Sequence, residues 1–267
     1  MMKKESRFDL AKKSFENKDI ELHKKAHSRE IIAGEAWHKT TQGRYMGSVV
    51  YGASDGIITT FAVVAGAMGA HLNPQIVLIM GFANLFGDGF SMAMGDYLSH
   101  RTTAKYDETE RKREEWEVEI DPQSEKEEMF QIYKERGISD EKARALVDLI
   151  SSDKRLWVDT MMHEELGILE EKHDSPVKDA LVTFLSFVLF GFMPLITYVL
   201  ASFIPLFEQN TFVIATILTL MTLFTVGAIR KSVTGGSWIK SGVEMLLMGS
   251  AAAFVAYIVG FLIRSIT

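Results

Sequence analysis

A strongly acidic block lies between two apolar stretches that are each long enough to cross a membrane. Residues 98–175 hold 22 Asp and Glu against 13 Lys and Arg, a net charge of −9, although the whole chain carries only −6. A hydrocarbon core of about 30 Å needs about 20 apolar residues per helix. Five segments approach that length: residues 48–70, 75–99, 180–204, 212–229 and 243–263. The sequence therefore predicts an all-α membrane protein with five transmembrane helices and a helical insert between spans two and three.

This pattern divides the chain into four regions. Residues 1–45 are polar, with a net charge of +4, and are expected to be amphipathic or disordered. Residues 46–99 hold the first two transmembrane helices, residues 100–175 the insert and residues 176–267 the last three spans. Lys and Arg occur in the first region, the insert and the 230–240 loop, but not at residues 73–74 or 205–210. The positive-inside rule then predicts that the N-terminus and residues 100–175 are cytoplasmic.

Four helices are predicted inside the insert. The first, residues 101–119, continues span two and ends near Asp121-Pro122. The second runs over residues 124–136 and ends at Gly137, the third over 140–151 and the fourth over 154–172.

Seven residues of the insert recur at helical spacing and carry carboxylate or thioether groups. They are Glu114, Glu117, Glu125, Glu128, Met161, Met162 and Glu165. Residues three or four apart share a helix face, and clustered carboxylates repel one another unless a cation lies among them. Because the chain has no cysteine, a metal here would use oxygen, nitrogen or thioether ligands. We interpret the set as metal ligands, with the two methionines exposed and favouring a softer transition metal; a solvated acidic face is the alternative. Glu170 and His173 form a single Glu-x-x-His, whereas di-iron sites use two.

Polar residues inside the first two spans suggest an ion path. A carboxylate near mid-membrane costs about 2.5 to 3.5 kcal/mol, yet Asp55 lies within span one. Span two carries a stripe of polar and sulfur-bearing residues at every fourth position: Asn84, Asp88, Met92 and Asp96. A stepwise cation path would need such a stripe, and a helix-interface Asp is the alternative for Asp55. Gly52 and Gly56 form a small-xxx-small pair, which suggests helix contacts close enough for a dimer.

Longer motifs resemble the vacuolar iron transporter family of ferrous iron and manganese exporters. The matching stretches are YGASDGIITTFAVVAGAMGA, GFANLFGDGFSMAMGDYLS, EKEEMFQIYKERGIS and WVDTMMHEELGI. The resemblance covers nearly the whole chain from Tyr45 onward and leaves residues 1–44 outside. It implies a five-span homodimer with an ion path between protomers, proton antiport and a cytoplasmic helical domain that collects metal.

The resemblance also implies roles for individual residues. Asp55 and Met92 match the family's transport aspartate and pathway methionine, and the seven residues of the insert match its metal-domain ligands. The chain departs from the family pattern at three positions. Asn84 stands where many members carry a carboxylate, Asp96 where Glu is usual, and Ser48 where an Asp often follows an Arg.

The sequence therefore predicts a transporter rather than an enzyme. We expect proton-coupled export of Fe(II), with Mn(II) as a second cargo, from the cytosol across a plasma or inner membrane or a vacuole-like organelle membrane. Mn(II) and Zn(II) are further candidates for the metal ion bound by the insert. The expected partners are a second copy of the chain and membrane lipid. The net negative charge argues against nucleic-acid binding. The alternative is a membrane-anchored iron-binding or ferroxidase protein. A calcium carrier would use carboxylates without methionines.

Overall fold

The computed structural model of the chain describes residues 7–34, 41–168, 175–201, 203–204, 210–234 and 237–266. Within these ranges the chain forms twelve α-helices and no β-strand. Residues 1–47 form one compact unit and residues 48–267 another. The prediction of an all-α protein is confirmed.

The first unit contains three short helices, α1 (Arg7–Asn17), α2 (Ile20–Ala26) and α3 (Arg29–Gly34). Asp19 caps α2, because its side chain accepts a hydrogen bond from the Leu22 backbone N–H at 2.9 Å. α1 packs against α2, and Ser14 and Ala26 are buried. The described part of this segment is therefore helical.

Among the described residues, four helices are long and apolar enough to cross a membrane. They are α4 (Thr41–Gly69), α5 (Pro74–Ile120), α11 (Thr211–Thr234) and α12 (Trp238–Arg264). The next two helices, α9 (Pro176–Gly191) and α10 (Met193–Ala201), are separated by a short break and bent by 45° relative to each other. If they are counted together as one span, the chain has a fifth candidate crossing. Pro194 lies in the first turn of α10, where its ring and missing N–H are incompatible with a continuous helix. The predicted third span therefore corresponds to two helices with a bend between them.

Helix α5 joins the membrane region to the insert. Asn73 caps its start by accepting a hydrogen bond from the Gln75 N–H at 2.9 Å, and Pro74 occupies the first turn. Its 47 residues rise about 1.5 Å each, so the helix is more than twice as long as the hydrocarbon core. It ends at Asp121, whose side chain then caps the next helix by accepting from Ser124. The predicted continuation of span two to Asp121-Pro122 is confirmed.

The rest of the insert packs against the far end of α5. It consists of α6 (Pro122–Glu135), α7 (Asp140–Ile150) and α8 (Lys154–Glu164). The inward faces of these three helices and Val118 of α5 form one hydrophobic core. Its members from α6, α7 and α8 are Met129, Phe130, Tyr133, Ala143, Val147, Ile150, Trp157, Val158, Met161 and Met162. The fourth predicted helix ends at residue 164 rather than 172, because Gly167 adopts the left-handed conformation with φ of 67°. Residues 169–174, including Glu170 and His173, lie outside the described residues.

Glycines allow the membrane helices to approach closely. A Cβ on Gly52 or Gly56 would collide with the backbone carbonyl of Thr183 or Phe187 on α9. The small-xxx-small pair thus packs α4 against α9 within the chain, so it gives no support to the dimer contact predicted from it.

Candidate functional site

The candidate metal ligands of the insert come from three helices that meet at one place. Glu114 and Glu117 lie near the end of α5, Glu125 and Glu128 in the first half of α6, and Glu165 directly after α8. Glu125 interacts electrostatically with Glu114, Glu117 and Glu128, and Glu165 interacts with Glu114, Glu125 and Glu128. The fold therefore brings all five predicted carboxylates into one cluster, which we call the carboxylate cluster.

Burial differs sharply among these five residues. Glu114 is 0% exposed and Glu125 is 9% exposed, Glu117 and Glu165 are half-buried, and Glu128 is exposed. Burial first, and then the neighbouring carboxylates, raise the pKa of both Glu125 and Glu165 to about 7. Burial also raises the pKa of Glu114, although the Arg113 hydrogen bond opposes the rise. A cation placed among these carboxylates would favour their charged forms and lower their pKa again.

Glu114 is the most constrained member of the cluster. Its Oε1 accepts a hydrogen bond from the Arg113 guanidinium at 3.3 Å. Its Oε2 is buried and has no hydrogen-bond partner among the described residues. A buried carboxylate oxygen without a partner costs free energy of about 1 to 3 kcal/mol or more, and a bound cation would remove that cost.

The carboxylates are close together but are not arranged as a coordination shell. In the described part of the chain, no three His, Asp or Glu side chains are placed so that they could hold an ion together. The Arg113 side chain instead contacts Glu110 at 3.0 Å, Glu114 at 3.3 Å and Glu117 at 3.5 Å. The oxygen-rich donor set fits a divalent metal, but its side chains would have to converge further.

The two methionines predicted as metal ligands are buried, which corrects the expectation that they are exposed. Met161 is 0% and Met162 4% exposed, and both belong to the hydrophobic core of the insert. They pack with residues of α6 and α8 such as Met129 and Trp157. The sequence was misleading here because two acids, Glu164 and Glu165, follow the pair closely, whereas both methionine side chains face the core. Core packing is thus a sufficient reason for a methionine at each position.

Other acids near the cluster have separate partners. Asp121 caps α6 and also accepts a hydrogen bond from the Ser124 hydroxyl at 2.8 Å. Glu164, next to Glu165, pairs with Arg136 and with His163. Four further acids of α5 and α6 are exposed and form a solvated face: Glu108, Glu115, Glu119 and Glu127.

In the membrane region, Asp55 on α4 lies near the polar stripe of α5. Asp55 and Asp88 are close enough to interact electrostatically, and both are half-buried. One turn away, the side-chain amide nitrogen of Asn84 is buried without a hydrogen-bond partner among the described residues. Met92 is half-buried and packs against a core cluster that includes Phe187. Two carboxylates from α4 and α5 are therefore within electrostatic reach of each other, and the Asn84 amide lies one turn earlier along α5.

Asp96 differs from the rest of the stripe because it has partners on two sides. The Thr183 hydroxyl of α9 donates a hydrogen bond to its Oδ2 at 2.9 Å. His100 Nδ1 lies 3.3 Å from its Oδ1. Asp96 therefore links α5 to α9 at the point where α5 leaves its apolar section.

A family model matches residues 46–261 of the chain, under the description VIT family. The chain belongs to the VIT family. It is 38% identical over 264 residues to the vacuolar iron transporter of Toxoplasma gondii, covering 95% of this chain and 87% of that protein. The vacuolar iron transporter of Plasmodium berghei is 35% identical over 261 residues, 96% of each chain. Vacuolar iron transporter 1 of Arabidopsis thaliana is 30% identical over 217 residues, 81% of this chain and 85% of that protein.

These VIT family comparisons also bear on the N-terminal segment. Residues 1–44 are about a sixth of the chain, so a match that covers 95% of it must include part of that segment. The expectation that the first 44 residues lie outside the resemblance is therefore wrong for the Toxoplasma relative. The family model itself begins only at residue 46.

Two features of this VIT family chain were not predicted from its sequence. Arg113 was overlooked because a cation in a charged helix is ordinarily a surface residue. On α9 three buried polar residues, Asp179, Thr183 and Ser186, share one face. Their spacing of four and three residues in an apolar span was a signal that could have identified them.

Proposed function

We propose that the chain exports Fe(II), with Mn(II) as a second cargo, from the cytosol in exchange for protons. The relatives are named vacuolar iron transporters, and the proposed membrane is that of a vacuole-like organelle. The carboxylate cluster is proposed to collect the ion, and Mn(II) or Zn(II) are further metal ions that it could bind. The polar residues of α4 and α5 are proposed to conduct it: Asp55, Asn84, Asp88, Met92 and Asp96.

The proximity of Asp55 to Asp88, which are close enough to interact electrostatically, is the observation that carries the transport proposal. Each carboxylate costs about 2.5 to 3.5 kcal/mol in the middle of a membrane helix, and a helix that only anchors the insert needs neither. Two neighbouring acids can bind a divalent cation and release protons as they do so. Proton exchange at the same residues would couple the two flows.

The carboxylate cluster supports a capture role. Glu114 is fully buried with one unpartnered oxygen, and the pKa of Glu125 and Glu165 is raised to about 7. A divalent ion that neutralised these groups would offset both the repulsion and the burial. Because α5 is continuous from span two to Glu114, ion binding at its far end has a rigid connection to the path.

A homodimer is part of the proposal. Small residues recur at every fourth position on the exposed side of α5: Ala83, Gly87, Ser91 and Gly95. A Cβ on Gly87 or Gly95 would meet nothing within 4 Å, so a second chain could approach the backbone closely there.

Flux into liposomes tests the transport proposal. The purified protein is reconstituted with a trapped pH dye and a metal-sensitive dye, and Fe(II), Mn(II), Zn(II) and Ca(II) are added in turn. We expect Fe(II) and Mn(II) to cross with opposite proton movement, and Ca(II) not to cross. Binding or oxidation of iron without any flux would instead support the anchored ferroxidase alternative.

Variants in the same assay test the path. Asp55→Asn keeps the side-chain shape but cannot titrate, so metal flux should lose its proton coupling. Met92→Ala should abolish flux, whereas Met80→Ala, on an exposed position of the same helix, should leave it unchanged. Wild-type flux and coupling in both Asp55→Asn and Met92→Ala would remove these residues from the path.

Calorimetry on the full-length protein tests the carboxylate cluster. One variant carries Gln at Glu114, Glu117, Glu125 and Glu128. Its control carries Gln at four exposed positions of the same helices: Glu115, Glu119, Glu127 and Glu135. Both lose four negative charges, so only the first should lose Mn(II) binding. Equal loss in the two variants would mean that the insert attracts metal only through its net charge.

A further inference from the structure

Arg113 lies in the carboxylate cluster that is proposed to take the metal. Its guanidinium contacts Glu114 at 3.3 Å and Glu117 at 3.5 Å, which are two of the candidate ligands. It also contacts Glu110, one turn earlier on α5, at 3.0 Å. One side chain thus holds three carboxylates of a single helix face.

The two basic residues that precede Arg113 on α5 form ion pairs with acids outside the carboxylate cluster. Arg111 pairs with Glu115 and with Asp159 of α8, and Lys112 pairs with the exposed Glu108. Arg113 is 46% exposed, so its guanidinium can leave the cluster without a change in the helix. The carboxylate of Glu110 is only 15% exposed and is not among the candidate ligands. It offers the guanidinium a place to remain after the other two contacts are lost.

The two carboxylate oxygens of Glu114 differ in their hydrogen-bond partners. Arg113 satisfies only Oε1, while Oε2 is buried without a hydrogen-bond partner among the described residues. A guanidinium at the edge of the cluster therefore compensates the carboxylates only in part. A divalent ion bound by Glu114 and Glu117 would have to displace it, because two cations cannot share these oxygens without repulsion.

We propose that Arg113 is an internal counter-ion that competes with the metal for Glu114 and Glu117 and moves onto Glu110 when the ion binds. It is a positioning residue, and it raises the metal concentration at which the cluster fills. This inference rests on the proposed capture function of the cluster. It assigns to Glu110 the role of holding the displaced guanidinium.

Calorimetric titration of the full-length protein with Mn(II) tests the proposal. Arg113→Gln should lower Kd by about fivefold, the equivalent of one exposed ion pair. Lys112→Gln removes the same charge from the adjacent position, and screening by solvent should keep its effect below about twofold. Arg113→Lys, a point charge that cannot bridge three carboxylates, should fall between the wild type and Arg113→Gln.

Glu110→Gln supplies a second, coupled test. In the wild-type background it should weaken Mn(II) binding, because the displaced guanidinium loses its partner. In the Arg113→Gln background it should have no further effect. Additive effects of the two substitutions would overturn the exchange mechanism and leave only general charge effects.

The outcomes separate this inference from the proposed function. If the wild type binds Mn(II) and Arg113→Gln binds equally or more weakly, Arg113 does not compete, and the capture proposal still stands. Equal tightening in Arg113→Gln and Lys112→Gln would also overturn the inference. If neither the wild type nor any variant binds Mn(II), both proposals fail. Circular dichroism on each variant checks that the helices are retained.

Discussion

The membrane region and the insert handle their carboxylates in opposite ways. In the membrane region Asp55 of α4 and Asp88 of α5 are half-buried within otherwise apolar helices and are close enough to interact electrostatically. In the insert five carboxylates share one cluster beside a hydrophobic core, with Arg113 among them. A function that depends on two isolated acids should fail when either is lost. A function shared among five acids and a cation should respond in graded steps.

Truncating the buried methionines should have the largest effect on stability. Met161→Ala and Met162→Ala each remove a fully packed side chain from the core of the insert, so each should cost about 2 to 5 kcal/mol of unfolding free energy. Chemical denaturation followed by tryptophan fluorescence, to which Trp157 of the same core contributes, measures the loss. A loss below the cost of a surface substitution would contradict the burial of these side chains.

The Leu variants separate packing from metal binding at the same positions. Met161→Leu with Met162→Leu keeps the volume and should cost less than about 1.5 kcal/mol per site, but it removes both sulfur atoms. If the thioethers capture metal, transport should fall at low metal concentration and recover at saturating concentration. A lower maximal rate with an unchanged half-saturating concentration would instead indicate a structural or gating role.

A single methyl group tests the close packing of the membrane region. Gly56→Ala places a Cβ against the Phe187 backbone carbonyl of α9, which cannot move as a side chain could, so we expect a loss of about 1 to 3 kcal/mol. Gly87→Ala, with nothing within 4 Å, should leave the monomer as stable or more stable, because Ala favours helix by about 1 kcal/mol. Thermal loss of the monodisperse peak in size-exclusion chromatography compares the two. Dissociation of a dimer by Gly87→Ala would support the proposed dimer surface.

Without metal, the insert should become less stable as pH rises from about 4.5 to 7. An unfolded Glu titrates near 4.5, whereas the pKa of folded Glu125 and Glu165 is about 7. Between these values the folded state holds protons that the unfolded state has released, so the unfolding free energy falls as pH rises from about 4.5 to 7. Glu125→Gln should flatten this dependence, while Glu127→Gln on the same helix should not. Thermal melts across this pH window, with a metal chelator present, measure the slope.

A surface ion pair should show the smallest effect. Lys154 on α8 pairs with Glu119 on α5, and both side chains are exposed. Lys154→Ala should change the unfolding free energy by less than about 1 kcal/mol, and 1 M salt should remove the difference. A larger effect that persists in salt would mean that the insert depends on its surface charges more than on its core.

Much of the fold follows directly from local sequence signals. The apolar segments identify the spans, Asp121-Pro122 ends α5 where predicted, and α6 and α7 end close to the predicted residues. These features are readable because caps, prolines and hydrophobic periodicity act within a few residues. The bend between α9 and α10 was also signalled by Pro194, which a hydropathy average does not register.

The sequence by itself determined the helical membrane architecture, the membership of the VIT family and the identity of the five clustered carboxylates. Only the tertiary structure decided which of their side chains are buried. Glu114 is enclosed while Glu128 is exposed, Met161 and Met162 belong to the core, and Gly56 serves packing within the chain. The physical reason is that helical spacing tells which residues share a face, whereas burial depends on what another helix, distant in sequence, places against that face.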